Sequence, residues 1–137
     1  MERRDLIKDQ IEQLGRVLGK IIADFFGLKS SDQIEQGVEV TNKQLKTELD
    51  IGITELVVLP KADLKTYLVE RKIGIGHFET LGEYLIEIGN HQMSYDKNQA
   101  KVYLTKSLEL LDLEDEISNT ISFERQNLKS KIKNILH

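Results

Sequence analysis

The sequence predicts an all-α protein that forms a single domain over residues 1–137, and three observations support this. Apolar residues recur every three or four positions along most of the chain, the spacing that places them on one face of a helix. The only proline is Pro60, so long stretches carry no helix breaker. Hydrophobic residues make up 39% of the chain and charged residues 31%, a balance typical of folded proteins. We expect about six helices in antiparallel hairpins, arranged as a repeat array or a compact bundle.

The composition argues against some classes of binding partner and excludes some kinds of active site. A net charge of -4 gives the chain no general attraction to nucleic acid, which is also negatively charged. The absence of cysteine excludes disulfides, thiolate zinc sites and a cysteine nucleophile. Charged residues, beginning with Lys8 and Asp9, interrupt the apolar residues near the start, so we expect neither a signal peptide nor a membrane span. We therefore expect a cytoplasmic protein.

The first helix is predicted from Arg3 to Phe26. Its apolar residues form a heptad-like seam, which consists of Ile7, Ile11, Leu14, Leu18, Ile21 and Phe25. Gly15 and Gly19 lie inside this helix, where each costs about 1 kcal/mol relative to alanine. Their spacing of four leaves a flat strip that another helix can approach closely. Either packing within the chain or a homodimer seam would explain them, so both are candidate interface residues.

The second helix is predicted to start at Ser30–Asp32, which supply an N-cap, with Glu35 as the capping partner. Its apolar spacing continues to about Asp50. The next run, 53–59, resembles a strand by propensity, but a lone strand would leave its backbone groups unpaired. We interpret it as the continuation of the second helix, ended by Pro60. A shorter helix follows over 61–72, and residues 73–76 form a hinge.

The segment 78–111 is predicted to form a helical hairpin around which the chain is organised. Two runs with helical apolar spacing flank a polar break from Gly89 to Asn98. Tyr84, His91 and Tyr95 are the candidate binding residues of a groove on this hairpin. For the tyrosines, a place in the core or at a rim is the alternative.

The chain closes with an acidic link and a basic helix. Residues 112–116 contain four carboxylates and are predicted to form a solvated turn, which could also pair with the last helix of a neighbouring molecule. The last helix is predicted from Phe123 to Leu136. Its cations include Arg125, Lys129 and Lys133, and cations are favoured near a helix C-terminus.

Small and bulky residues alternate in the second half of the hairpin. Ala100 is small, Leu104 is bulky and Ser107 is small, and a Leu-Gly pair, Leu81–Gly82, precedes them. This pattern resembles the tetratricopeptide repeat (TPR), and the resemblance covers residues 78–111. The 18 residues from Gly82 to Ala100 exceed the repeat's spacing by about six, and Asp112 replaces its closing proline.

The resemblance to the TPR implies a scaffold or a peptide-binding surface. The whole chain is also similar to small uncharacterised bacterial helical proteins with a repeat-like C-terminal half. That second similarity implies no activity.

An acidic ridge with a histidine is the best candidate for chemistry. Glu79, Glu83, Glu87 and His91 follow at intervals of four, and Glu87 and His91 could share a metal ion. The Glu-x-x-His spacing of di-metal bundles is absent, however. A solvated ridge is the preferred interpretation, and we expect no cofactor or metal.

These observations favour a non-enzymatic protein–protein interaction or scaffold module. Its partner would be a protein or peptide, with a homodimer as one option. One alternative is a helical metal-dependent enzyme that uses Glu83, Glu87 and His91. The other is a nucleic-acid-associated regulator that uses Arg125, Lys129 and Lys133, against which the overall negative charge argues.

Overall fold

A computed structural model describes residues 2–28 and 33–137, with side chains for 6–27 and 33–137. Within these ranges the chain forms seven helices and no strand. The helices are α1 (Glu2–Leu28), α2 (Ile34–Leu49), α3 (Ile53–Leu56), α4 (Lys61–Glu70), α5 (His77–Gln92), α6 (Lys97–Ser118) and α7 (Phe123–Leu136). The all-α prediction is confirmed, and the arrangement fits a compact bundle. The predicted N-cap at Ser30–Asp32 lies outside the described residues.

The hairpin of α5 and α6 is the most closely packed helix pair. Two glycines on α5 allow this approach: a Cβ atom on Gly89 would lie 2.7 Å from Leu104 Cγ, and one on Gly82 would lie 3.3 Å from Leu111 Cδ2. Leu104 is fully buried, as are Ala100 and Ser107. This α6 face therefore serves helix packing. The predicted polar break was too long, because Gly89 lies inside α5 and α6 already begins at Lys97.

The second helix ends earlier than predicted. Asp50 adopts a left-handed conformation, with φ of 58°, and α3 is a separate single turn rather than the continuation of α2. Arg71 holds this break: its Nε atom donates a hydrogen bond to the Asp50 carbonyl oxygen at 2.5 Å, and its guanidinium lies 3.5 Å from the centre of the Tyr67 ring. Long-range contacts of this kind leave no local sequence pattern.

The acidic residues 112–116 are helical, which corrects the prediction of a solvated turn. They belong to α6, which continues to Ser118, and Glu114 is only 1% exposed. Their partners include cations of α7 in the same chain. The bounds of α7 agree with the prediction, and Ser122 caps it by accepting a hydrogen bond from the backbone nitrogen of Arg125 at 3.3 Å.

Candidate interaction surfaces

A buried arginine fixes α7 against the hairpin. The Arg125 side chain is 9% exposed and lies between α5 and α6. Its Nη1 atom donates to Glu79 Oε1 at 3.0 Å, and its Nε atom donates to Asp115 Oδ1 at 2.6 Å. Its Nη2 atom donates to the Thr120 carbonyl oxygen at 2.9 Å. One side chain thus joins α5, α6 and the start of α7.

The ion pairs continue along α7. Lys129 pairs with Asp112 at 2.8 Å and also with Asp115, while Lys61 of α4 lies 3.5 Å from Asp112. Burial alone would raise the pKa of Asp115, but hydrogen bonds from Lys129 and Arg125 outweigh it and hold that pKa below its usual value. Two of the three cations proposed to contact nucleic acid therefore have carboxylate partners within the chain.

A groove lies between α1, α5 and α7 and has a volume of about 430 Å³. Each helix contributes one large apolar residue to its lining, and these are Phe26, Ile86 and Leu128. Polar groups also line it, namely Glu83, Glu87, Glu124, Asn127 and Lys131. We call it the α1/α5/α7 groove. Its α7 wall is held in place by Arg125 and Lys129.

Glu83 is the most unusual residue of this groove. Its side chain is half-buried, and its carboxylate forms no hydrogen bond or ion pair with the described part of the chain. Burial raises the pKa of Glu83, and the nearby charge of Glu79 raises it further. The ionised carboxylate is therefore less favourable here than in water. The three glutamates of the predicted acidic ridge face α7 or the groove instead of being fully solvated: Glu79 pairs with Arg125, and Glu83 and Glu87 line the groove.

Tyr84 is not a surface residue, which corrects its assignment to a binding groove. It is fully buried, its ring meets that of Phe25 edge-on at 4.8 Å, and its hydroxyl donates to Asn42 Oδ1 at 2.7 Å. Burial of this hydroxyl raises its pKa. Tyr84 thus serves the core, the alternative that the sequence left open.

His91 and Tyr95 are brought together at the end of α5. Their rings lie 5.4 Å apart, and Tyr95 is 60% exposed. His91 Nε2 lies 3.6 Å from Glu35 Oε1 on α2. Neither residue lines the α1/α5/α7 groove. Among the described residues, no group of three or more His, Asp or Glu side chains could hold a metal ion, so Glu83, Glu87 and His91 do not converge on one.

The two candidate glycines of α1 have different surroundings. Gly15 is buried, and a Cβ atom placed on it would overlap the imidazole ring of His77 at the start of α5. A Cβ atom on Gly19 would meet no atom of the described residues within 4 Å. Packing within the chain therefore accounts for Gly15, whereas Gly19 is open on its outer side.

This difference predicts opposite responses to the same substitution. Gly19→Ala is expected to raise the free energy of unfolding by up to about 1 kcal/mol, because alanine has the higher helix propensity and space exists for its methyl group. Gly15→Ala is expected to be less stable than Gly19→Ala by about 1–3 kcal/mol, because the His77 ring must move. Urea unfolding followed by circular dichroism measures both. Equal stabilities would contradict the packing of His77 on Gly15.

Comparisons of the chain with protein-family models, curated proteins and solved structures gave no match. Within the described ranges, no helix combines the length and apolar character needed to cross a bilayer.

The groove was not predicted as a unit. Glu83 and Glu87 were identified as members of one acidic ridge on a single helix. Nothing in the sequence indicated that α7 would lie beside this face of α5. The decisive contact, Arg125 with Glu79, joins residues 46 positions apart.

Proposed function

We propose that the chain is a non-enzymatic protein–protein interaction or scaffold module of the cytoplasm. The α1/α5/α7 groove is the observation that carries this proposal. Its lining combines three large apolar side chains with three carboxylates, and an amphipathic helix binds to such a groove by inserting its apolar residues.

The charged residues that line the groove indicate which charged side chains a partner helix would carry. Among the described lining residues, Glu83, Glu87 and Glu124 carry carboxylates and Lys131 carries an ammonium group. A lysine or arginine of the partner would supply the cation that Glu83 lacks within the described chain, and the pairing would favour the ionised carboxylate. We therefore propose a partner helix with apolar residues on one face and basic residues beside them.

The resemblance of 78–111 to the TPR supports the same class of function, since it implies a scaffold or peptide-binding surface. The ion pairs of Arg125 and Lys129 weaken the nucleic-acid alternative, because both cations would have to leave carboxylates to bind phosphates.

The proposal predicts a defined outcome of selection from a displayed random-peptide library. The wild-type chain should enrich peptides that carry apolar residues at helical spacing together with Lys or Arg. Ile86→Asp, which places a further carboxylate among the apolar residues, should weaken binding of the enriched peptides about thirtyfold or more, as for the loss of a contact worth about 2 kcal/mol. Fluorescence anisotropy of a labelled peptide measures the dissociation constants.

Val58→Asp is the matched control, because Val58 is exposed and lies outside the groove lining. It should bind the peptides as the wild type does, and circular dichroism should show both variants to be folded. The proposal fails if the wild type enriches no peptide. It also fails if Ile86→Asp and Val58→Asp bind the enriched peptides equally well.

A further inference from the structure

The Glu83 carboxylate differs from two neighbouring carboxylates, because each of those already has a hydrogen-bond donor within the chain. The Glu79 carboxylate accepts a hydrogen bond from Arg125 Nη1 at 3.0 Å. The Glu124 carboxylate, which also lines the α1/α5/α7 groove, accepts one from the Ser122 hydroxyl at 2.8 Å. Glu83 has no corresponding donor among the described residues, although its side chain is half-buried. Its negative charge is therefore left uncompensated at the wall of the groove.

Most of the charged groups around Glu83 are acidic. Glu79 lies one helical turn before it on α5, and Glu87 lies one turn after it. Across the groove, α7 contributes Glu124 and Lys131, and Lys131 forms no ion pair with the described residues. The described lining that α1 contributes is an aromatic ring, which carries no charge. Burial, and then the charge of Glu79, raise the pKa of the Glu83 carboxyl.

Apolar surface adjoins this carboxylate. Ile86 follows Glu83 by about one turn of α5, and Leu128 of α7 lines the same groove. A lysine or arginine packs its alkyl stem on such a surface while its charged end reaches a polar group. A cation that binds beside Glu83 stabilises the ionised carboxylate, whereas a proton neutralises it. The cation and the proton therefore oppose each other's binding at this site.

We propose that Glu83 selects the basic partner of the groove, and that a lysine or arginine of the partner competes with a proton for its carboxylate. This inference rests on the proposed function, because it requires a partner helix in the groove. In mild acid, binding releases a proton from Glu83 to the buffer, and the ionised carboxylate pairs with the partner's cation. At a pH where Glu83 is already ionised in the free chain, binding releases no proton from it and the affinity reaches its maximum.

Proton release on peptide binding tests this competition. The probe is a peptide enriched by the wild-type chain that contains Lys or Arg, lacks Asp, Glu and His, and has blocked ends, so that it does not release the proton itself. Calorimetry in acetate and in MES buffer, which differ in ionisation enthalpy, measures the protons released. At a pH of about 5, just above the ordinary glutamate pKa of about 4.3, the wild type should release a measurable fraction of a proton per peptide. Fluorescence anisotropy should show the affinity rising about threefold or more between this pH and a plateau at about pH 7.

Glu83→Gln removes the titrating group and keeps the size of the side chain. It should release no measurable proton, and its affinity should stay constant over this pH range and be about tenfold weaker than that of the wild type at neutral pH. The free variant should also unfold at a higher urea concentration than the wild type at neutral pH, because an uncompensated half-buried charge has been removed. Glu39→Gln is the matched control, since Glu39 is exposed on α2 and lies outside the described groove lining; it should keep the wild-type affinity and proton release. Circular dichroism at each pH verifies that the variants are folded.

Carbon-13 NMR of the Glu83 carboxyl group tests the same competition without a substitution, because added peptide should move its titration to lower pH. An unmoved titration overturns the inference, and so does equal proton release by the wild type and Glu83→Gln. In both cases the proposed function still stands if Ile86→Asp loses the peptide. If the proton release disappears in Glu124→Gln instead, the partner's cation pairs with Glu124 and Glu83 does not select it. A wild type that enriches no peptide overturns this inference and the proposed function together.

Discussion

Arg125→Ala is expected to lower the free energy of unfolding by about 3–5 kcal/mol, the usual cost of removing one partner from a buried ion pair. The substitution removes the cation shared by Glu79 and Asp115, which are 23% and 16% exposed. It also removes the donor to the Thr120 carbonyl oxygen that fixes the start of α7. Among the described side chains, Glu79 then has no cationic partner and Asp115 retains only Lys129. Urea unfolding followed by circular dichroism measures the loss.

Two control variants show whether the effect of Arg125→Ala comes from the geometry of its guanidinium group and from the burial of its ion pairs. Arg125→Lys keeps the charge, but an ammonium group cannot reach both carboxylates with the geometry of a guanidinium, so it should recover only part of the stability. Lys20→Ala removes an exposed ion pair with Asp24 and should change the stability little. If Arg125→Ala is no more destabilising than Lys20→Ala, the buried network does not stabilise the fold.

The same network predicts a pH dependence. The pKa of Asp115 is lower in the folded chain than in the unfolded chain, so its contribution is complete above the ordinary aspartate pKa of about 3.9 and is lost as the pH falls through the folded value. The stability difference between the wild type and Arg125→Ala should therefore narrow in acid. A difference that stays constant down to pH values below the folded pKa would contradict this assignment.

Local sequence patterns were sufficient to predict a helix wherever the helix is determined by its own residues. The seam from Ile7 to Phe25 predicted α1, and the bounds predicted for the last helix are those of α7. The hairpin followed from spacing alone, because α5 and α6 each bury one continuous face. These features depend on periodicity and capping, which a single sequence contains.

Predictions failed where a distant residue determines the local structure. Arg71 holds Asp50 at the break after α2, and the cations of α7 allow the acidic residues after Leu111 to remain helical. Tyr84 follows the same spacing as Leu81 and Leu85, so its burial could have been inferred. It was assigned to a surface groove because its side chain carries a polar hydroxyl. The groove required knowledge of which helices are neighbours, and that information is tertiary.

Glu114→Ala is expected to lower the free energy of unfolding by about 2–6 kcal/mol, because two backbone donors lose their buried acceptor at about 1–3 kcal/mol each. Gly76, the N-cap of α5, has no side chain to cap the helix. The Glu114 carboxylate accepts hydrogen bonds from Gly76 N at 2.9 and 2.8 Å and from Glu79 N at 3.2 Å. It also places a negative charge at the positive end of the helix dipole.

Glu114→Gln separates these two contributions, since the amide oxygen still accepts a hydrogen bond but carries no charge. It should lose less stability than Glu114→Ala. Hydrogen exchange distinguishes a lost cap from a general loss of packing: the amides of Gly76 and Glu79 should exchange faster in Glu114→Ala relative to amides in the middle of α5. Uniformly faster exchange along α5 would show that Glu114 acts through packing with α6. Because Glu79 also holds Arg125, a confirmed cap would mean that Glu114 positions the residue to which α7 is anchored.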